Sequence, residues 1–133
     1  MATLTEDQKG RLVQALRLHG IVYARLFGSG ARGTLHFESD VDLAVSAGRP
    51  LKADDKYRLI QRVAEITCRP VDIVDLTTAS GAVFDEALRG TELFCDDPLA
   101  KAAAQYRRVS VVQDDLEYAR ATFEATKHGM FLQ

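Results

Sequence analysis

Only two cysteines, Cys68 and Cys95, stand in this chain of 133 residues, and what they fail to form narrows the chemistry. They lie far apart, in neither a zinc spacing nor a redox C-x-x-C pair. Their apolar neighbours predict two reduced, buried thiols. The three histidines, His19, His36 and His128, share no metal-ligand spacing, so no histidine metal site is expected. No apolar run reaches the length that crosses a bilayer, which predicts no membrane association. The stretch from Met1 to Asp7 carries acids where a secretory leader would place a basic region and an apolar run. A cytoplasmic protein is expected.

An excess of one charge is missing as well. Seventeen Lys and Arg against nineteen Asp and Glu leave a net charge of -2, which argues against direct nucleic-acid binding, a task that usually brings a basic stripe. A small anionic substrate stays possible, because divalent cations supply positive charge themselves. With 47% hydrophobic and 27% charged residues the composition is that of an ordinary globular protein. No repeat, low-complexity tract or linker appears. A single domain over residues 1–133 is expected, long enough to bury a core without disulfides.

What is present alternates between helical and strand-like patterns. Thr5 with Gln8 three residues on is a capping-box pattern. It opens a helix over about residues 5–18, with Leu12, Val13, Ala15 and Leu16 on one side and Gly20 closing it. Ile21 to Phe27, rich in β-branched and aromatic residues, predicts a strand ending at Gly28-Ser29-Gly30, and a turn region follows to Ser39. Val41 to Ser46 predicts a second strand, broken by Gly48-Arg49-Pro50. Tyr57, Leu59, Ile60, Val63, Ala64 and Ile66 support a helix over about residues 53–67, ended by Pro70, and Val71 to Leu76 a third strand. Ser80 to Leu88 predicts a helix capped by Gly90, and Thr91 to Cys95 a fourth strand. After Asp97-Pro98, the residues Leu99, Ala102, Tyr106, Val109, Leu116, Ala119 and Phe123 recur at steps of three and four with a polar gap at Gln113. They predict a long amphipathic helix over about residues 98–127. It is expected to pack on its own domain, with part of the face open to a partner or a second copy. The alternation is that of an α/β or α+β sheet domain with a helix added at its end.

The informative block is Leu26-Phe27-Gly28-Ser29-Gly30-Ala31-Arg32-Gly33 with Ser39-Asp40-Val41-Asp42-Leu43 after it. Gly28 lets backbone approach a ligand closely. Backbone N–H groups at a helix start, with the Ser29 hydroxyl, make a seat for phosphate oxygens. Asp40 and Asp42 stand two apart at the head of a strand, so both carboxylates leave one face while Val41 and Leu43 enter the core. Carboxylates so placed repel unless a cation sits between them, and hard oxygen ligands suit Mg²⁺. Asp72, between Val71 and Ile73, is costly to bury without a partner or cation, which makes it the expected third ligand. Asp75 has the opposite parity and is expected to close the strand. The pairs Asp54-Asp55, Asp96-Asp97 and Asp114-Asp115 read as solvated faces or helix-dipole partners. His36 reads as a loop residue. Arg32 has two readings: a contact to phosphate or partner, or a salt bridge to an acid such as Glu38.

Gly28-Ser29, a ten-residue gap and Asp40-Val41-Asp42 resemble the signature of the DNA polymerase β-type nucleotidyltransferase superfamily. The fuller string, Gly-Ser-x-Ala-Arg-Gly with Ser-Asp-x-Asp-Leu, resembles its minimal nucleotidyltransferase (MNT) branch and the MntA-type antitoxins of HEPN/MNT toxin–antitoxin pairs. Gly30 departs from it, since many relatives carry a larger residue there. The resemblance covers about residues 21–95 and implies a small mixed sheet flanked by helices as the core, with the C-terminal helix beyond it. It also implies ATP as substrate, two Mg²⁺ ions, and transfer of AMP to a tyrosine of a HEPN-domain ribonuclease toxin in a hetero-oligomer. Matched by position, Gly28 and Ser29 would hold the triphosphate, Asp40 and Asp42 would bind metal, and Asp72 would bind the catalytic metal and help activate the incoming hydroxyl. Two alternatives stand beside this: a non-catalytic antitoxin that neutralises by binding, and a nucleotidyltransferase with a small-molecule acceptor.

Overall fold

The computed structural model describes residues 4–28 and 40–108. Helix α1 (Glu6–Leu18) starts where the capping box places it: Gln8 N donates to Thr5 Oγ1 at 3.0 Å, and Thr5 N donates to Gln8 Oε1 at 2.9 Å. After it come β1 (Tyr23–Phe27), β2 (Val41–Ser46), α2 (Ala53–Thr67), β3 (Val71–Asp75), α3 (Gly81–Leu88) and β4 (Thr91–Cys95). A further helix, α4, is described over residues 98–108. Asp97 caps it, accepting from Leu99 N at 3.0 Å.

The strands form one sheet in the order β3-β2-β1-β4. β1 runs antiparallel to both β2 and β4, while β2 and β3 are parallel. A parallel pair needs a crossover, and α2 supplies it. Side-chain alternation divides the sheet into two faces. Ala24, Leu26, Val41, Leu43, Val45 and Ile73 pack under α1 and α2 against Leu12, Leu16, Leu59 and Val63. Tyr23, Phe27 and Ala44 pack on the other face, against Phe84, Ala87 and Leu88 of α3 and Ala100 and Ala104 of α4. Arg107 locks α4 down: its guanidinium lies 4.7 Å from the centre of the Phe84 ring and donates to the carbonyls of Leu76 and Ala79.

Four expectations need correction. Cys68 is exposed and Cys95 only half-buried, because Cys68 caps α2 outside the core instead of lying within it. It adopts the left-handed conformation, φ 56° and ψ 35°, so the helix stops two residues ahead of Pro70. Gly90 does not cap α3; Arg89 does, in right-handed geometry. Gly90 is needed for closeness instead, since a Cβ there would lie 2.3 Å from the Leu26 carbonyl oxygen and 2.8 Å from Phe27 Cβ. On α4 the packing residues are the small Ala100 and Ala104, while Leu99, Ala102 and Tyr106 of the expected core stripe are exposed.

Candidate active site

The strand register gathers the acidic residues. Phe27 of β1 sits opposite Asp42 of β2, and Asp42 lies beside Asp72 of β3. These three side chains therefore form one row on the face that carries α3 and α4. Asp40 precedes β2 with the parity of Asp42 and is exposed, as is Asp72, whereas Asp42 is half-buried. Val41 and Leu43 are fully buried on the opposite face, as alternation requires.

Gly28 ends β1 directly over this row. Its φ is +64°, and a Cβ added there would lie 2.4 Å from Asp42 Oδ2. Left-handed backbone and contact with a carboxylate both require glycine at this point. The Asp42 carboxyl is held above the usual carboxylate range, first by burial, then by the charges of Asp72, Asp40 and Glu86. Glu86, on the exposed side of α3, carried no signal in the sequence. Neither motif nor spacing marks it, and only the packing of α3 on the sheet brings it within electrostatic range.

Among the described residues no Lys or Arg forms an ion pair with any of these four carboxylates. The contrast with Asp85 is direct, since that neighbour of Glu86 pairs with both Arg89 and Arg108. Also among the described residues, no three acidic, cysteine or histidine side chains close around a point as a ready-made metal cage. An open row of carboxylates with no ion pair among the described residues fits Mg²⁺, which keeps waters and takes substrate phosphates as its remaining ligands.

Asp75 answers a different need. It is buried on the opposite side of β3 and accepts from Leu51 N at 2.8 Å, Thr77 N at 2.9 Å and Thr77 Oγ1 at 2.7 Å. Every bond ties it to neighbouring turns, in line with its expected closing role. Asp96 pairs with Arg17 at 2.8 Å and Asp54 with Arg58 at 2.8 Å, so both are surface partners. Ser29, Gly30, Arg32, His36 and Glu38 lie outside the described residues, as do Asp114, Asp115 and His128. A cavity of about 270 Å³, lined in part by Ser46, Leu76, Thr77 and Arg107, opens elsewhere on the molecule. It meets the sheet at the far end of β2, about 13 Å from Asp42 at the strand rise. It holds none of the acidic row.

A mixed sheet with a glycine turn set over strand-borne carboxylates is the frame of a nucleotidyl-transferring domain. The chain belongs to the family described as Polymerase beta, Nucleotidyltransferase, whose profile matches residues 11–99. It is 37% identical over 70 residues to the protein adenylyltransferase MntA of Shewanella oneidensis, a match that spans 52% of this chain and 50% of that relative. The chain thus matches about half the length of that curated relative. Among solved structures it is similar to a toxin–antitoxin crystallised with AMP-PNP, with a TM-score of 0.72 and 25% identity over 90% of this chain and 98% of the other. It also shares its fold with a structure of the tri-AMPylated Shewanella oneidensis HEPN toxin in complex with MNT antitoxin. There the TM-score is 0.68 at 21% identity, over 92% of this chain and 98% of that one.

Proposed function

We propose that this protein transfers AMP from ATP to a tyrosine hydroxyl of a partner HEPN-domain ribonuclease toxin, and so acts as its antitoxin. The observation that carries this reading is the row of Asp42 and Asp72 beneath Gly28, with Asp40 and no compensating cation among the described residues. Support for the acceptor comes from the AMP-modified toxin in the related complex and from the activity in the name of the MntA relative.

In this reading Gly28 and Ser29 seat the triphosphate, the first by close backbone approach and the second by its hydroxyl. Asp40, Asp42 and Asp72 hold two Mg²⁺ ions. Bound there, the ions would neutralise charge on the attacking and leaving oxygens of an in-line displacement. The acceptor oxygen forms a bond to the α-phosphorus as the bond to the β-phosphate bridging oxygen breaks, and pyrophosphate leaves. Asp72, exposed on β3 beside Asp42, would orient the hydroxyl and help draw off its proton. Positioning and charge are most of what this chemistry asks of a protein. The same reading takes residues 1–133 as one cytoplasmic domain working in a hetero-oligomer. No helix among the described residues is long and apolar enough to cross a membrane.

The test is intact-protein mass spectrometry of the product of the neighbouring gene, the HEPN-domain partner in this reading, after incubation with this protein, ATP and Mg²⁺. A gain of AMP units that is lost with Asp42→Asn is the expected result. No gain in a stable complex would establish neutralisation by binding, and transfer to a small molecule without any partner would establish a different acceptor.

A further inference from the structure

Helix α3 carries a different chemistry on each flank. At about 100° per residue, the buried Phe84, Ala87 and Leu88 mark the side against the sheet. Asp85 falls on one flank, and the other carries Val83 and Glu86. The Asp85 flank meets α4 and is closed: Asp85 pairs with Arg108 of α4 at 2.8 Å and with Arg89 at 2.9 Å. Arg89 stands at helical reach of both acids and pairs with Asp85. The other flank is open. Glu86 is exposed and forms no ion pair among the described residues, and Val83 is 51% exposed.

The Glu86 flank borders the acidic row. The turn after α3 lies against β1, where a Cβ on Gly90 would stand 2.8 Å from Phe27 Cβ, and Phe27 sits opposite Asp42. One turn back from Gly90, Glu86 is near enough for its charge to raise the Asp42 carboxyl, after burial and the charges of Asp72 and Asp40. Standing on a helix and outside the strand-borne row, it adds negative charge at the rim.

We infer that Glu86, with Val83 beside it, selects the acceptor: this rim receives a segment of the partner protein that carries a Lys or Arg within a few residues of the accepting hydroxyl. The inference rests on the proposed function for the reaction, and charge selects the occupant. In that reading two Mg²⁺ ions offset the charge of the triphosphate and leave that of the carboxylates. The rim then attracts a cationic segment and repels an acidic one. Glu86 would repel the phosphates of the nucleotide as well, so of the two substrates the acceptor is the one it suits. The exposed Val83 offers an apolar surface to the stem of a long basic side chain.

The experiment follows AMP transfer to the product of the neighbouring gene by intact-protein mass spectrometry, over a range of acceptor and salt concentrations. Glu86→Gln should raise KM for the acceptor about threefold to fivefold, the size of one exposed ion pair, with the loss falling on KM and not on kcat. Glu86→Lys should raise it about tenfold or more, and its difference from wild type should shrink as salt screens the charges. Stabilisation of Glu86→Gln by ATP with Mg²⁺ should match wild type, which a role in holding metal or nucleotide would not allow. Peptide mapping then locates the modified residue. Replacing the Lys or Arg beside it with Glu should slow transfer by wild type, and Glu86→Lys should restore it. Equal KM in wild type and Glu86→Lys would overturn the inference, and so would a modified segment without a basic residue. Absence of any AMP gain with wild type is a separate result, which would overturn the catalytic reading and this inference with it.

Discussion

Gly28 and Asp42 have to be considered together, because the carboxylate oxygen of one occupies the space a side chain on the other would need. Gly28→Ala would put a Cβ 2.4 Å from Asp42 Oδ2 while holding a φ of +64°. The left-handed backbone alone costs about 1–2 kcal/mol, so urea unfolding should show at least that loss, together with loss of the proposed AMP transfer. Asp42→Asn should behave in the opposite way. Its carboxyl is raised in the folded state by burial and then by Asp72, Asp40 and Glu86, so ionisation weighs against the metal-free fold. That penalty is present at neutral pH and relieved as pH falls through the raised value, a window just above the ordinary carboxylate range. Metal-free wild type should therefore gain stability relative to Asp42→Asn as the pH is lowered through that window, as read by urea unfolding at a series of pH values. Equal slopes for the two proteins would remove the electrostatic account. The Arg17–Asp96 pair has the other sign: Asp96 is lowered by its hydrogen bond to Arg17, so its contribution is lost at still lower pH.

At the level of elements, strand parity made most of the site legible. The alternation Asp40-Val41-Asp42-Leu43 predicts one polar and one apolar face, and the structure has both. Val71-Asp72-Ile73 beside it predicts a neighbouring strand, and the parallel register sets Asp72 next to Asp42. What stayed hidden depended on contacts between distant segments. Glu86 reaches the site only through the docking of α3. Gly90 looks like a helix cap, yet serves close approach to β1. The stripe on α4 reads as core because periodicity records that a helix has an apolar side, not what covers it. Cys68 is exposed for a local reason that composition does not record: it caps α2 in the left-handed conformation, outside the core. Glycine prefers that conformation, so Cys68→Gly should stabilise the protein by about 0.5–1 kcal/mol in denaturant unfolding. A loss of stability would mean that the thiol or its Cβ makes a contact worth more than the backbone strain.

For the molecule as a whole, the sheet has one chemically charged end and one cavity-bearing end. A ligand bound only by the folded state raises stability in proportion to the logarithm of its concentration over its dissociation constant. ATP with Mg²⁺ at 100 times that constant should therefore add about 2.7 kcal/mol, seen as a rise in melting temperature that neither ATP alone nor Asp42→Asn reproduces. An equal rise without Mg²⁺ would argue that the carboxylates are not the metal seat.

Strand β3 carries Asp72 on one side and Asp75 on the other, and the two should fail differently. Asp75→Ala strips acceptors from Leu51 N, Thr77 N and Thr77 Oγ1 and should cost about 2–3 kcal/mol of stability. Asp72→Ala, on an exposed position, should leave the melting temperature nearly unchanged and abolish transfer. A genetic screen that scores protein abundance would notice only the first of these substitutions. One that scores turnover per folded molecule would notice only the second, although the two residues sit three positions apart on a single strand.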